Sequence, residues 1–282
     1  MINPYIDSLL IYLAINALLA YSFYVPLLTE QPAAGQGAFM AIGAYVTAAL
    51  TRNFGVPFPL ALVAGAGLAG LTGALVGWPA LRLRGLYFVI LTLGFGEVVR
   101  VFFLNSNYFG AAYGFSRIAE ATTLVNICAV LALAMIFINR LQRSSLGRAL
   151  EAIKENDLAA ESLGINTTRL KVFAFGAGAA VAGLAGAFYA HYALFIDSNN
   201  FGFHKSIEPV LFTLLGGPGS LWGPLLGAAI LTIVPEVLRP VQEWRMVFYG
   251  LIMILLMTFR PQGLLTRDML KHWRRRRTQA GQ

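Results

Sequence analysis

Long apolar runs separated by short polar intervals make up most of this chain. A helix that spans a bilayer needs about 20 consecutive, mostly apolar residues. Seven runs approach or reach this length, and they predict spans near residues 8–28, 35–51, 58–79, 86–104, 122–138, 171–195 and 246–260. The pattern therefore predicts an all-α polytopic membrane protein.

One further apolar stretch, 206–238, is interrupted by the sequence Gly216-Gly217-Pro218-Gly219. Its first piece is only about 12 residues long, too short to cross ~30 Å of hydrocarbon alone. We therefore expect two broken or re-entrant helices here, and eight or nine hydrophobic helices in total. Helix ends inside a membrane offer free N–H and C=O groups to a zwitterionic solute. The four residues of the break are thus candidates for a hinge or a translocation pathway, with plain helix packing as the alternative.

The composition excludes several classes of protein. Apolar residues make up 57% of the 282 residues and charged residues only 12%, whereas an average soluble domain has roughly 25% charged residues. This excludes an ordinary soluble enzyme, and the many apolar residues exclude a disordered chain. The single cysteine, Cys128, excludes a disulfide scaffold.

Most of the 21 Lys and Arg residues fall in three segments: 81–85, 139–171 and the end of the chain from residue 260. Cytoplasmic loops of membrane proteins carry an excess of these residues. We therefore expect the three segments in the cytoplasm and the N-terminus outside. Residues 1–7 carry no Lys or Arg, which fits this orientation and predicts no cleaved signal peptide. Residues 1–265 then form one transmembrane domain. The basic tail, 266–282, is expected to contact anionic lipid and not nucleic acid.

Two apparent chemical motifs have structural explanations. Residues 65–70 fit G-x-G-x-x-G but lie inside an apolar run, so we interpret them as a small helix face that permits close packing. The three histidines, His191, His204 and His272, are too scattered for a metal site. The sequence also lacks a G-x-x-x-x-G-K-[ST] motif, so it predicts no ATP binding through a P-loop by this chain.

The longest polar interval, 139–171, predicts two short helices. Ser144 or Ser145 can cap the first, which runs through Lys154. Asn156 or Asp157 can cap the second, at 158–163, and Gly164 then follows as its C′ residue. From the residues alone, a helix that docks into another protein and a simple solvated connector are equally good interpretations.

Several segments of the sequence resemble one known family. Ala159-Ala160-x-x-x-Gly164 is similar to the coupling motif of ABC-importer permeases, although Leu158 replaces the glutamate of that motif. The flanking segment 146–166 resembles the branched-chain amino acid permease family, in its M-type subunit. Four further blocks resemble the same family, in the same order: 35–45, 84–100, 215–227 and 259–264. The stretch 105–114 departs from the Thr-Gly-Gly-type turn of relatives.

The resemblance implies a transport subunit of a bacterial plasma membrane importer, with no catalysis and no cofactor of its own. Its implied partners are a second homologous permease subunit, two ABC ATPases that use ATP, and an extracytoplasmic solute-binding protein that delivers a branched-chain amino acid. Coupling to the ATPases would fall to Asp157, Ala159, Ala160, Glu161 and Gly164. Relatives for amides, urea or aromatic acids remain an alternative, and an ion-coupled secondary transporter is a more distant one.

Polar residues within the apolar runs are also candidates for function. Glu97 with Arg100, and Glu236 with Arg239, stand three apart and predict structural ion pairs on helix faces. Gln36 lies between two glycines, where the backbone can open. It is therefore a candidate for the solute conduit.

Overall fold

The computed structural model describes residues 4–83, 85–237 and 250. Within these residues the regular elements are helices, joined in places by 3-10 turns, which confirms the all-α prediction. The α-helices are α1 (Pro4–Leu27), α2 (Gln36–Phe54), α3 (Phe58–Ala80), α4 (Leu86–Asn105), α5 (Leu124–Arg143), α6 (Ser145–Glu155), α7 (Asp157–Ser162), α8 (Thr167–Ala193), α9 (Phe203–Gly216) and α10 (Gly223–Val237).

Five of the described helices are long and apolar enough to cross a membrane: α1, α3, α4, α5 and α8. Helix α2 has 19 residues, but polar groups such as Thr47, Arg52 and Asn53 make it less apolar, and most of its residues are buried inside the protein. Helices α9 and α10, with 14 and 15 residues, confirm the predicted break in 206–238. The predicted span 246–260, apart from Gly250, and the basic tail lie outside the described residues.

Helix α8 lies at the centre of the bundle and packs against α1, α2 and α3. The approach to α2 is so close that a Cβ atom on Gly43 would collide with the backbone of Gly183. Residues 65–70 lie within α3, where a Cβ on Gly70 would meet the methyl group of Ala180 on α8. These contacts confirm close helix packing at Gly43, Gly70 and Gly183, whereas Gly67 of the same motif faces open space.

The polar interval is shorter than predicted. Helix α5 continues past the predicted end of its span at 138, as far as Arg143, and α8 begins at Thr167 and not near 171. The predicted end of α5 and the predicted start of α8 were wrong because they were placed at the limits of the apolar runs. Backbone hydrogen bonds extend a helix through polar residues, and Arg140 and Arg143 suit the negative end of the α5 dipole.

The two described basic segments lie at the same end of the bundle. Arg82, between α3 and α4, lines a cavity of about 860 Å³ together with Lys154 of α6. At the other end, the connection after α4 and the one after α8 meet through a backbone bridge between Phe115 and Ile196. This arrangement agrees with the prediction that both basic segments lie on the same side of the membrane.

Candidate functional site

The polar interval folds into two capped helices, α6 and α7. The Ser144 hydroxyl accepts a hydrogen bond from the Gly147 N–H at 3.2 Å, and the Asn156 side chain accepts one from the Ala159 N–H at 3.1 Å. Each bond satisfies an N–H group that a helix start leaves without a partner. Of the alternatives that the sequence left open, Ser144 and Asn156 are therefore the caps.

Gly164 ends α7 in the way that the sequence predicts. Its φ of 81° is in the left-handed region, where glycine is favoured. The Gly164 N–H donates to the Glu161 carbonyl at 2.9 Å, and the Ile165 N–H donates to the Ala160 carbonyl at 3.1 Å. This is the Schellman pattern, and it turns the chain sharply from α7 towards α8.

Two side-chain contacts fasten α7 to the start of α8. The Lys171 Nζ atom lies 2.6 Å from the Asp157 Oδ2 atom. The Thr167 hydroxyl donates to the Glu161 carboxylate at 2.7 Å. Both contacts therefore link α7 to α8, the central helix of the bundle.

The predicted coupling residues divide between two faces of α7. Ala160 is buried, with 1% exposure, and belongs to the inner face. Ala159 and Glu161 are exposed, as is Gly164. Two large apolar side chains are also exposed, Leu158 at 68% and Leu163 at 79%. We call Leu158, Ala159 and Leu163 the outer face of α7.

The connection between α9 and α10 comes close to this segment. Pro218 and Gly219 line a cavity of about 290 Å³ together with Gln142, Leu150 and Lys154, which belong to α5 and α6. The sequence contains no signal for this proximity, because about 65 residues separate the two regions along the chain.

Close packing explains one glycine of this turn, Gly216, and backbone conformation explains a second, Gly217. A Cβ on Gly216 would collide with the backbone of Gly223, and Gly217 has a φ of 107°. A role of Gly216, Gly217, Pro218 and Gly219 as hinge or pathway elements stays a prediction.

Gln36, the predicted conduit residue, is fully buried as the first residue of α2. Neither its amide nitrogen nor its amide oxygen has a hydrogen-bond partner among the described residues. Its neighbour Gly37 lies against Ser206 of α9, where a Cβ would approach the Ser206 hydroxyl to 2.5 Å. The role of Gln36 in a conduit stays a prediction.

A polar cleft of about 610 Å³, which sequence reasoning missed, lies between α1, α9 and α10. The Lys205 Nζ atom lies 2.7 Å from the Glu208 carboxylate and donates to the Asn16 side chain at 3.4 Å. The Asn16 amide nitrogen donates to the Thr232 hydroxyl at 3.0 Å. We call this cavity the polar cleft.

The other intramembrane polar residues are held by structural contacts. The Arg100 Nε atom lies 2.7 Å from the Glu97 carboxylate, which confirms that predicted pair. Glu236, also in the polar cleft, accepts a hydrogen bond from the Tyr5 hydroxyl at 2.6 Å. Its predicted partner Arg239 lies outside the described residues. His191 contacts the Thr51 hydroxyl at 3.0 Å and the Ala187 carbonyl at 2.9 Å.

The described residues form a helical bundle with several helices able to span a membrane and a pair of short helices at one end. The chain matches the family described as "Branched-chain amino acid transport system / permease component" over residues 5–257, and it belongs to that family. Its resemblance to the branched-chain amino acid permeases is thereby confirmed.

Several curated proteins are similar to this chain. The high-affinity branched-chain amino acid transport system permease protein LivM of Salmonella typhimurium is 37% identical, over 84% of this chain and 64% of its own length. LivH, a permease protein of the same transport system in Salmonella typhimurium, is 33% identical over 64% of this chain and 59% of its own length. The fructose import permease protein FrcC of Rhizobium meliloti is 24% identical over 78% of this chain. No solved structure matches the chain.

Proposed function

We propose that this chain is a transmembrane subunit of an ATP-driven importer that takes up branched-chain amino acids. The observation that carries the proposal is α7, a short helix that is fastened to the central helix α8 and presents an apolar outer face. Membership of the permease family and similarity to LivM support the choice of solute class.

The outer face of α7 suits contact with an ATPase subunit. An isolated exposed leucine is common on protein surfaces, but here Leu158 lies in a six-residue helix and Leu163 directly follows it, within a strongly polar segment. Small Ala159 between them allows close approach to a groove. Burial of the two leucine side chains in a partner is worth about 1.5–3 kcal/mol each.

In this proposal, movement of the docked helix reaches the membrane by two routes. The Asp157–Lys171 and Glu161–Thr167 contacts carry it to α8. Helix α6, next to α7, borders the same cavity as Pro218 and Gly219, so the hairpin of α9 and α10 also responds. Displacement of α8 and the hairpin together would alternate access between the two membrane sides.

The partners in this proposal are a second, similar permease subunit, two ATPases that bind and hydrolyse ATP, and an extracytoplasmic solute-binding protein. The end of the bundle that holds α6 and α7 then faces the cytoplasm, and the end near the Phe115–Ile196 bridge faces outside. The similarity of LivM and LivH to this chain supports a pair of permeases.

Co-purification with the ATPase subunits tests the docking face. Leu163→Asp places a charge in the proposed contact, and we expect it to reduce recovery of the ATPases at least about tenfold, because an uncompensated buried charge is very unfavourable. Leu146→Asp is the matched control, since Leu146 is an exposed leucine of α6 outside the outer face of α7. Equal recovery of the ATPases with both variants would refute the docking role.

The substrate is tested separately, by ATP-dependent uptake into vesicles that contain the whole complex with its solute-binding protein. We expect accumulation of leucine, isoleucine and valine. Accumulation of an amide, urea or an aromatic acid in their place would assign a different solute within the family. Uptake that persists without nucleotide and without the partner subunits would refute ATP-driven import.

A further inference from the structure

The contact between Lys205 and Asn16 in the polar cleft lies near the middle of the long helices around it. Asn16, which Lys205 contacts, is near the middle of α1, a helix of 24 residues. Ser206, the next residue after Lys205, lies close to Gly96, which is near the middle of α4. Helix α9 therefore begins level with the middle of α1 and α4, two helices that are long and apolar enough to span a membrane.

Charged groups at this depth are expensive unless they face water or a ligand. Lys205 and Glu208 are both only partly exposed, at 19% and 35% of their side chains, and both line the cleft. A pair on one helix could neutralise itself and have no further role. Against this, Lys205 also reaches across to Asn16 of α1, and Glu236 of α10 borders the same cavity. Polar groups of three helices thus converge on one space.

The chemistry of the cleft matches a zwitterion that carries an apolar side chain. Lys205 supplies positive charge, and the positive end of the α9 dipole lies beside it, because Lys205 is in the first turn of this helix. Glu208 and Glu236 supply negative charge. Leu9, Leu211 and Phe212 form an apolar wall in the same cavity.

We infer that the polar cleft is a binding site for an α-amino acid during its passage through the permease. This inference rests on the proposed function. The solute carboxylate accepts hydrogen bonds from Lys205, and its ammonium group donates to Glu208. The ion pair between Lys205 and Glu208 is thereby replaced by two ion pairs, one from each of these residues to the solute. Its aliphatic side chain lies against Leu9 and Leu211.

Helix α9 connects this binding site to the cytoplasmic end of the bundle. Helix α9 has 14 residues, a length of roughly 21 Å. It carries Lys205 and Glu208 at one end and leads into Pro218 and Gly219 at the other, beside α6. A shift of the coupling segment therefore moves both charged groups relative to Asn16 on α1.

The test uses the complete complex in nanodiscs without the solute-binding protein, and measures equilibrium binding of radiolabelled leucine. We expect leucinamide, which lacks the carboxylate, and 4-methylpentanoate, which lacks the ammonium group, to compete at least about tenfold more weakly than leucine, as the loss of a charge-assisted hydrogen bond predicts. Equal competition by both analogues would overturn the assignment of the two charges.

The decisive variant removes both charges at once, because a single substitution would leave one charge unpaired in the membrane and could prevent assembly. In Lys205→Met/Glu208→Gln we expect leucine binding to the nanodisc complex to fall at least about tenfold. Uptake in vesicles should fall in parallel, while the ATPase activity stimulated by the loaded solute-binding protein persists. Unchanged binding and uptake in this variant would overturn the inference.

Glu97→Gln/Arg100→Met is the matched control, since it removes a second pair with the same spacing and the same 2.7 Å separation on α4. This control should bind and transport leucine as the unaltered complex does. Failure of the unaltered complex to take up any amino acid would count against the proposed function itself. Normal uptake by the unaltered complex and by both double variants would count against the cleft alone.

Discussion

Asp157 and Lys171 are joined by a contact of 2.6 Å that connects the first residue of α7 to the first turns of α8. The two side chains are 28% and 20% exposed, so the pair is partly screened by solvent. Such pairs contribute about 1 kcal/mol or less to stability. The importance of this contact therefore lies in position: it fixes a short peripheral helix to the centre of the bundle.

Asp157→Asn should weaken coupling without unfolding the protein. We expect normal membrane insertion and a reduction of about fivefold in the ATPase activity stimulated by the solute-binding protein, the factor that 1 kcal/mol represents. The measurement compares this activity in reconstituted complexes. Glu155→Gln removes one negative charge from an exposed position two residues earlier and should retain normal stimulation. Normal stimulation with Asp157→Asn would show that the pair does not transmit movement.

Gly164→Leu should disturb the end of α7 through the backbone alone. The position of a Cβ on Gly164 is open, with no atom within 4 Å, but its φ of 81° disfavours any side chain. The strain is about 1–2 kcal/mol for most residues and is smaller for asparagine, which tolerates this conformation. We expect Gly164→Leu to reduce stimulated ATPase activity several-fold in a protein that still inserts.

Gly164→Asn separates backbone strain from the effect of bulk on docking. If the conformation of the turn is what matters, this variant should retain most of the stimulated activity. An equally strong loss with asparagine and with leucine would mean that the absence of a side chain at 164, and not its φ, is required for coupling.

Much of the coupling segment can be predicted from sequence because its signals are local. Ser144, Asn156 and Gly164 act on backbone groups within three to four residues of themselves, through hydrogen bonds that their side chains or conformations dictate. The short helices therefore follow from neighbouring residues whatever the rest of the chain does.

The polar cleft could not be predicted in the same way. Its central contact joins Asn16 and Lys205, which are 189 positions apart. In a membrane protein both the lipid-facing and the protein-facing sides of a helix are apolar, so periodicity does not reveal which residues meet. No local signal in the sequence indicates that Lys205 contacts α1 as well as its neighbour Glu208.

Gly43→Ala should destabilise the bundle, because α2 and α8 touch through their backbones at this point. A Cβ on Gly43 would collide with Gly183, so the helices must separate. We expect a loss of about 1–3 kcal/mol, as for other overpacked sites, measured as a lower midpoint of unfolding in detergent. Gly67→Ala is the matched control, since a Cβ on Gly67 of α3 would meet no atom within 4 Å. Equal midpoints for both variants would contradict the close approach of α2 and α8.

Cysteine labelling should establish which end of the bundle faces the cytoplasm. With the exposed Cys128 replaced by serine, Tyr113→Cys and Glu155→Cys place single thiols at opposite ends. Tyr113 is 93% exposed and lies near the Phe115–Ile196 bridge, whereas Glu155 ends α6 in the basic segment. Because Lys and Arg are enriched on the cytoplasmic side, a membrane-impermeant maleimide should label position 113 in intact cells and position 155 only after permeabilisation. The reverse pattern would invert the proposed orientation and would place α7 where no ATPase can reach it.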